Sequence, residues 1–174
     1  MTESSPHSGS VLEFVELARA FRALVDERAA LPASEFLQRV HHLLPRLYSI
    51  ALVLPDVGGD APHCEGSTSV TALGRDLRAT IGALDYYREI FDPYAGESEE
   101  PVIGSLSDDI ADIYAELTAG MSCWDAENRE GALWAWRFSF QVHWGKHLTS
   151  ALRAMHAWSA RAKVGGIVSA HPEA

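Results

Sequence analysis

The chain has 174 residues, of which 47% are hydrophobic and 22% charged, and its formal net charge is −10. This length and composition are ordinary for one globular domain. Because an acidic chain without a dense run of Lys and Arg repels a phosphate backbone, we expect no nucleic-acid partner. The longest apolar run, LYSIALVLP, is much shorter than the roughly 20 residues that span a bilayer, so we expect no membrane segment.

The sequence also predicts a cytoplasmic location. No charged segment followed by an apolar one opens the chain, which argues against a secretory signal. The two cysteines, Cys64 and Cys123, form no CxxC pair and are too few for a disulfide framework. We therefore expect two free thiols in a reducing compartment.

Hydrophobic residues recur at helical spacing in five successive segments. These predicted helices cover about 11–30, 34–55, 70–91, 107–123 and 130–163, and a break of the third near Gly82 is left open. Ser10 and Ser34 are expected to cap the first two helices, and Pro45 should kink or split the second. Clusters of Gly, Pro, Ser and Asp predict a loop before the third helix and another after it.

The expected architecture is all-α. Five helices without the alternation typical of strands predict a single-domain helical bundle over residues 10–163, with flexible tails at 1–9 and 164–174. The last helix should be central, because it contains four of the five tryptophans. A set of aromatic residues is expected to form core or to line a small-ligand pocket. They are Tyr86, Tyr87, Phe91, Trp136, Phe140 and Trp144.

Polar residues on the last two helices form a candidate site. The short DAENREG connection predicts an antiparallel hairpin that places Asp108 and Asp112 beside the turn carrying His143 and His147. Histidines four residues apart project from one helical face, and with carboxylates they can bind a divalent transition metal or act as acid and base. The candidate residues are Asp108, Asp109, Asp112, Arg137, His143 and His147, with His143, His147 and Asp109 as the metal ligands.

A structural interpretation of the same residues is favoured over a functional one. Acids in a first helical turn stabilise the helix dipole without any ligand. Asp109 lies nearest the apolar stripe, so His147 could be a core histidine hydrogen-bonded to it or to a backbone carbonyl. The spacing HWGKH also departs from the HExxH metalloprotease motif, because Trp144 replaces the glutamate.

Three long segments resemble a bacterial domain of unknown function, family 5063. They are DYYREIFDPY, VIGSLSDDIADIYAEL and ALWAWRFSFQVHWGKHLTSALRAMH, and the resemblance covers about residues 10–160. It implies a compact helical cytoplasmic protein, and it transfers no reaction. Arg137 followed by His143 also resembles the Arg/His signature of HEPN-type helical ribonucleases, although an arginine there would more often pair with a buried acid.

Three functions are therefore considered. The first is a non-enzymatic binding or accessory protein that engages another protein, since no nucleotide-binding loop or catalytic motif is present. The alternative is a metal-dependent hydrolase or oxidase with a His/Asp site between helices four and five. A weaker alternative is a HEPN-like ribonuclease that uses Arg137 and His143. The aromatic face could also close a homodimer.

Overall fold

The computed structural model describes residues 6–58, 69–90, 94 and 100–169, and the side chains among them except those of 6–8 and 162–169. Its helices are α1 (Pro6–Asp26), α2 (Ala33–Ala51), α3 (Val70–Ile81), α4 (Leu106–Asp125), α5 (Arg129–Ser139) and α6 (Gly145–Ser169). A π-helical turn, Phe140–Trp144, joins α5 to α6, so these segments run on as one long C-terminal helix. The prediction of an all-α bundle of five helices is confirmed for the described residues.

A short β-hairpin separates α3 from α4. Strand β1 (Tyr86–Glu89) pairs antiparallel with β2 (Val102–Ser105). The prediction that helix three continues to residue 91 is therefore wrong. The helix ends at Ile81 because Gly82 adopts φ 64°, a left-handed conformation that terminates helices. The aromatic side chains that follow suit a strand, since one face of β1 is half-buried and the other exposed.

The expected caps of the first two helices are also wrong. The first helix begins at Pro6, and proline is favoured in a first helical turn because its missing N–H would be unpaired there anyway. The second begins at Ala33 without a side-chain cap. It continues through Pro45 without splitting, because Leu44 and Leu47 on either side are fully buried and their packing offsets the lost hydrogen bond.

The core lies between α1, α2, α4 and the long C-terminal helix. Trp136 and Trp144 are both 0% exposed, and Trp136 packs on Phe14 with ring centroids 4.9 Å apart. The indole N–H of Trp136 donates to the carbonyl of Leu117 at 3.1 Å. A Cβ added at Gly120 would strike that indole, so glycine lets α4 and α5 approach closely. This contact pairs α4 with the long C-terminal helix, whose π turn and α6 segment carry His143 and His147.

The structure corrects one expectation about the cysteines. Cys123 at the end of α4 is disulfide-bonded, so it is not the free thiol that the sequence predicted. Spacing along the chain does not reveal which cysteines meet in space, because bonding depends on the distance and direction of their Cβ atoms. Cys64 lies outside the described residues. Among the described helices, none has both the length and the apolar character needed to cross a membrane.

Candidate functional site

The first two turns of α4 lie against the C-terminal helix around His147. Nδ1 of His147 lies 2.8 Å from Oδ1 of Asp109, and the hydroxyl of Tyr87 donates to Oδ2 of the same carboxylate at 2.6 Å. The Asp109 side chain is only 7% exposed. Both of its oxygens are therefore engaged, one with a helix and one with the hairpin, and the His147 ring is held by its Nδ1 atom.

Burial and hydrogen bonding shift the pKa values of these three groups. Burial raises the pKa of Asp109, although the bonds from His147 and Tyr87 act in the opposite direction. The hydrogen bond with Asp109 raises the pKa of His147 above its ordinary value, against the effect of burial. Burial and the neighbouring Asp109 raise the pKa of Tyr87, so its hydroxyl stays neutral and remains a donor.

A second histidine has a similar arrangement on the same face. Nδ1 of His143 lies 2.9 Å from Oε1 of Glu116, one helical turn beyond Asp112 on α4. The rings of His143 and His147 are 4.9 Å apart between centroids and nearly perpendicular, at 76°. Each imidazole thus has a carboxylate partner at Nδ1, which leaves Nε2 as the nitrogen able to bind a ligand.

Asp112 supplies a third group that could bind a metal. Its Oδ2 lies 3.6 Å from Nε2 of His147, beyond hydrogen-bond distance. One donor atom each from Asp112, His143 and His147 lies within 4.8 Å of the other two. Burial raises the pKa of Asp112, whereas the two histidines lower it. Two imidazoles and one carboxylate are a ligand set used by Zn²⁺, Mn²⁺ and Fe²⁺.

The π-helical turn contributes to the position of His143, which is its fourth residue. Its wide hydrogen bond joins the N–H of Gly145 to the carbonyl of Phe140. A Cβ at Gly145 would strike that carbonyl, so glycine is what allows the turn to close. Single π turns inside helices occur frequently at functional sites. A glycine in the middle of a strongly periodic helix was the sequence signal for this turn.

Two residues of the predicted polar site lie elsewhere. Asp108 is 59% exposed and contacts Arg78 of α3 at 3.4 Å, and no contact joins it to either histidine among those of the described residues. Arg137 donates to the carbonyl of Leu54 at 2.6 Å and lies 3.7 Å from Asp56. The structure thus brings together Asp109, Asp112, His143 and His147, and it adds Tyr87 and Glu116 to them.

A separate buried carboxylate holds the beginning of α4. Asp85 is 0% exposed and accepts from the backbone N–H of Ser107 at 2.7 Å. The hydroxyls of Ser105 and Ser107 donate to it at 3.1 and 3.2 Å, and Nε of Arg78 at 3.2 Å. This group connects the end of α3, the hairpin and α4, and so it orients the helix that carries Asp109 and Asp112.

The predicted aromatic set divides between core and surface. Trp136 and Trp144 are buried, and Phe140 packs against Trp144 with ring centroids 4.7 Å apart. Tyr86 is 58% exposed, and with Tyr87 it lines a cavity between β1 and α6. Phe91 lies outside the described residues.

Fold and site together define a small helical bundle with a histidine–carboxylate cluster between its last two long helices. The chain belongs to the family described as Domain of unknown function (DUF5063), whose model matches residues 6–161. The resemblance seen in the sequence is therefore confirmed. The fold is similar to the crystal structure of protein BF1032 from Bacteroides fragilis, with a TM-score of 0.70 and 26% identity over 84% of this chain and 90% of that chain. Comparison with curated proteins finds no match.

Proposed function

We propose that this protein binds a divalent transition metal through Asp112, His143 and His147 and uses it in a hydrolytic or oxidative reaction. The observation that supports this proposal is the pairing of each histidine with its own carboxylate at Nδ1. Metal-binding histidines almost always have such a partner, which fixes the ring and makes the other nitrogen more basic. A core histidine that serves only packing needs one partner and no second imidazole facing it.

The number of ligands favours a catalytic metal over a structural one. Structural zinc sites are closed by four protein ligands, whereas catalytic sites have three and keep a position for water or substrate. Two histidines and one carboxylate are also the set found in non-haem Fe²⁺ oxygenases. Such a metal would act as a Lewis acid or activate water. Asp109 and Glu116 would orient the two imidazoles.

The test is metal content and metal affinity of untagged protein. We expect near-stoichiometric zinc, manganese or iron after purification or reloading, measured by elemental analysis and titration calorimetry. Asp112→Asn and the double variant His143→Ala/His147→Ala should lose it while retaining their helical circular dichroism. A matched control is His42→Ala/His156→Ala, which also removes two imidazoles, from α2 and from another part of α6. Loss of metal in the control double variant, or no metal bound by the wild-type protein after reloading, would contradict the proposal.

A second candidate function is docking of another protein. The long helix exposes an apolar strip, since Phe138 is 49% and Val142 is 63% exposed, and Phe138 stacks on Trp134 with ring centroids 4.8 Å apart. Contiguous exposed apolar surface often marks an interface. A photo-crosslinker placed at Val142 should then capture a partner that one placed at Leu12, an exposed apolar residue of α1, does not. Mass spectrometry of the product distinguishes a second copy of this chain from a different protein.

The ribonuclease alternative requires Arg137 and His143 to act on one substrate. Instead, Arg137 bonds the carbonyl of Leu54, and His143 bonds Glu116. This arrangement does not favour the alternative, and RNA cleavage abolished by either substitution would be needed to support it. The expected cytoplasmic location also stays a proposal, and the disulfide at Cys123 weighs against it, because structural disulfides are rare in reducing compartments.

A further inference from the structure

A cavity of about 590 Å³ lies between β1 and α6. Its volume falls in the range of small-molecule pockets. Its inner wall is apolar, because Leu37, Leu106 and Met155 line it and are at most 3% exposed. Trp158 and Leu84, both half-buried, add further apolar surface. This wall would favour a ligand with an apolar body.

The outer part of the same cavity is cationic. Arg88 of β1 and Arg153 and Arg161 of α6 line it, and all three side chains are exposed. None of the described lining residues is Asp or Glu. The chain has a net charge of −10, so three arginines around one opening make this region positive on an otherwise acidic protein. Guanidinium groups bind carboxylates well because their planar N–H donors match the two oxygens.

One acidic side chain lies close to this rim. Oε2 of Glu89 is 3.8 Å from NH2 of Arg153, which is beyond hydrogen-bond distance. The Arg153 side chain is 59% exposed, whereas that of Glu89 is only 12% exposed. Because this contact is too long for a hydrogen bond, the N–H groups of Arg153 can donate to a bound anion beside it. Arg88 and Arg161 provide two further positive charges at the opening.

We propose that this cavity binds a small organic acid, with its carboxylate at the arginine rim and its aliphatic or aromatic body against Leu37, Leu106 and Met155. Charge complementarity selects an anion, and the apolar inner wall excludes a small inorganic one as the full ligand. The site is separate from the proposed metal ligands and does not depend on them. Tyr87 is the residue common to both regions, since it lines the cavity and its hydroxyl donates to Asp109.

The probe is a series of straight-chain acids, from hexanoate through octanoate to decanoate, titrated below their micellar concentrations into metal-free protein. We expect saturable binding that strengthens by roughly tenfold for each two methylenes while the chain still fits the cavity. Decanol, which has the same body without the charge, should bind at least tenfold more weakly than decanoate. Calorimetry gives both affinities, and prior removal of metal keeps the result independent of the metal proposal.

Variants separate the rim from the inner wall. Replacing Arg88, Arg153 and Arg161 with Gln should weaken decanoate binding more than tenfold and leave decanol unchanged. The matched control replaces Arg19, Arg39 and Arg75, which are exposed arginines outside the cavity, with Gln. It changes the net charge by the same amount as the rim variant and should still bind decanoate. Ala154→Trp, which fills the cavity, should abolish binding of both probes.

Three results would overturn the proposal. The first is that decanoate does not bind the wild-type protein saturably. The second is that decanol binds as tightly as decanoate, which would mean that the arginines do not contribute. The third is that the control triple variant loses as much affinity as the rim variant, which would mean that only net charge matters. Because all six arginines are exposed, these variants remain informative even if Ala154→Trp fails to fold.

Discussion

Two carboxylate groups beside α4 differ in how completely their oxygens are bonded. Asp85 precedes β1, and Asp112 lies in α4 itself. Asp85 is fully buried, and four donors from α3, the hairpin and α4 itself reach it between 2.7 and 3.2 Å. Asp112 is 22% exposed in its side chain, and its contact with Nε2 of His147 is 3.6 Å long. The oxygens of Asp85 are hydrogen-bonded within the protein, whereas the carboxylate of Asp112 can still bind a ligand.

This contrast distinguishes a structural carboxylate, such as the fully buried Asp85, from one that can bind a ligand, such as the partly buried Asp112. A buried carboxylate that serves stability must have its hydrogen bonds made within the protein, because each unmet bond is costly. In a metal site, the carboxylates around the ligands are hydrogen-bonded to them, and the ligand atoms that face the metal have no other partner. In the proposed metal site, Asp109 and Glu116 would have the first role for the two histidines, and Asp112 with one nitrogen of each imidazole would have the second.

The largest expected effect on stability belongs to Asp85. In Asp85→Ala, the buried N–H of Ser107 loses its acceptor and the hydroxyls of Ser105 and Ser107 lose theirs. We expect a loss of roughly 2–4 kcal/mol in the free energy of unfolding, measured by denaturant titration. Asp85→Asn keeps an acceptor for Ser107 and should lose less. A loss below about 1 kcal/mol for the alanine variant would remove the contrast between the two groups.

Asp109→Asn should act mainly on metal binding. It preserves shape but removes the charge that holds His147 at Nδ1, and loss of such a partner typically lowers metal affinity by about 10–100-fold. Calorimetry on this variant and on Glu116→Gln provides the measurement. We expect the smaller loss for Glu116→Gln, because Glu116 and His143 are more exposed than Asp109 and His147. Unchanged affinity in both would show that these carboxylates do not orient metal ligands.

The pH dependence of stability tests the Asp109–His147 pair in metal-free protein. Asp109 raises the pKa of folded His147, so protonated His147 stabilises the fold. That stabilisation is fully present below the unfolded histidine pKa of about 6.5 and is lost as pH rises through the higher folded value. Wild type should therefore lose stability relative to His147→Gln as pH rises above about 6.5. Parallel curves for the two proteins would contradict an ionic role for this histidine.

The smallest effect is expected for Asp108, the acid that the sequence placed beside the histidines. It is 59% exposed, and its contact with Arg78 is 3.4 Å long. Asp108→Ala should change the free energy of unfolding by about 0.5 kcal/mol or less, and metal affinity should stay the same. A clear loss of metal in this variant would return Asp108 to the candidate site and weaken the assignment of Asp112.

The helical class, the family and the central position of the last helix were all predicted correctly from the sequence. Strong 3.6-residue periodicity and a concentration of tryptophans determine these features locally, and Trp136 and Trp144 are indeed fully buried. It also indicated Asp109 as the acid nearest the apolar face, because position around a helix follows from residue number alone. The hairpin was missed because the two tyrosines continued a helical pattern beyond Gly82.

The contacts between polar groups depend on tertiary packing and could not be predicted from the sequence. Tyr87 reaches Asp109 because β1 places its side chain against α4, and Asp108 contacts Arg78 because α3 also packs against that helix. The π turn closed by Gly145 adds a further local shift that regular periodicity does not describe. Helical spacing determines the direction in which a side chain projects from its own helix. The residue that it contacts depends on how the neighbouring helices and strands pack against that helix.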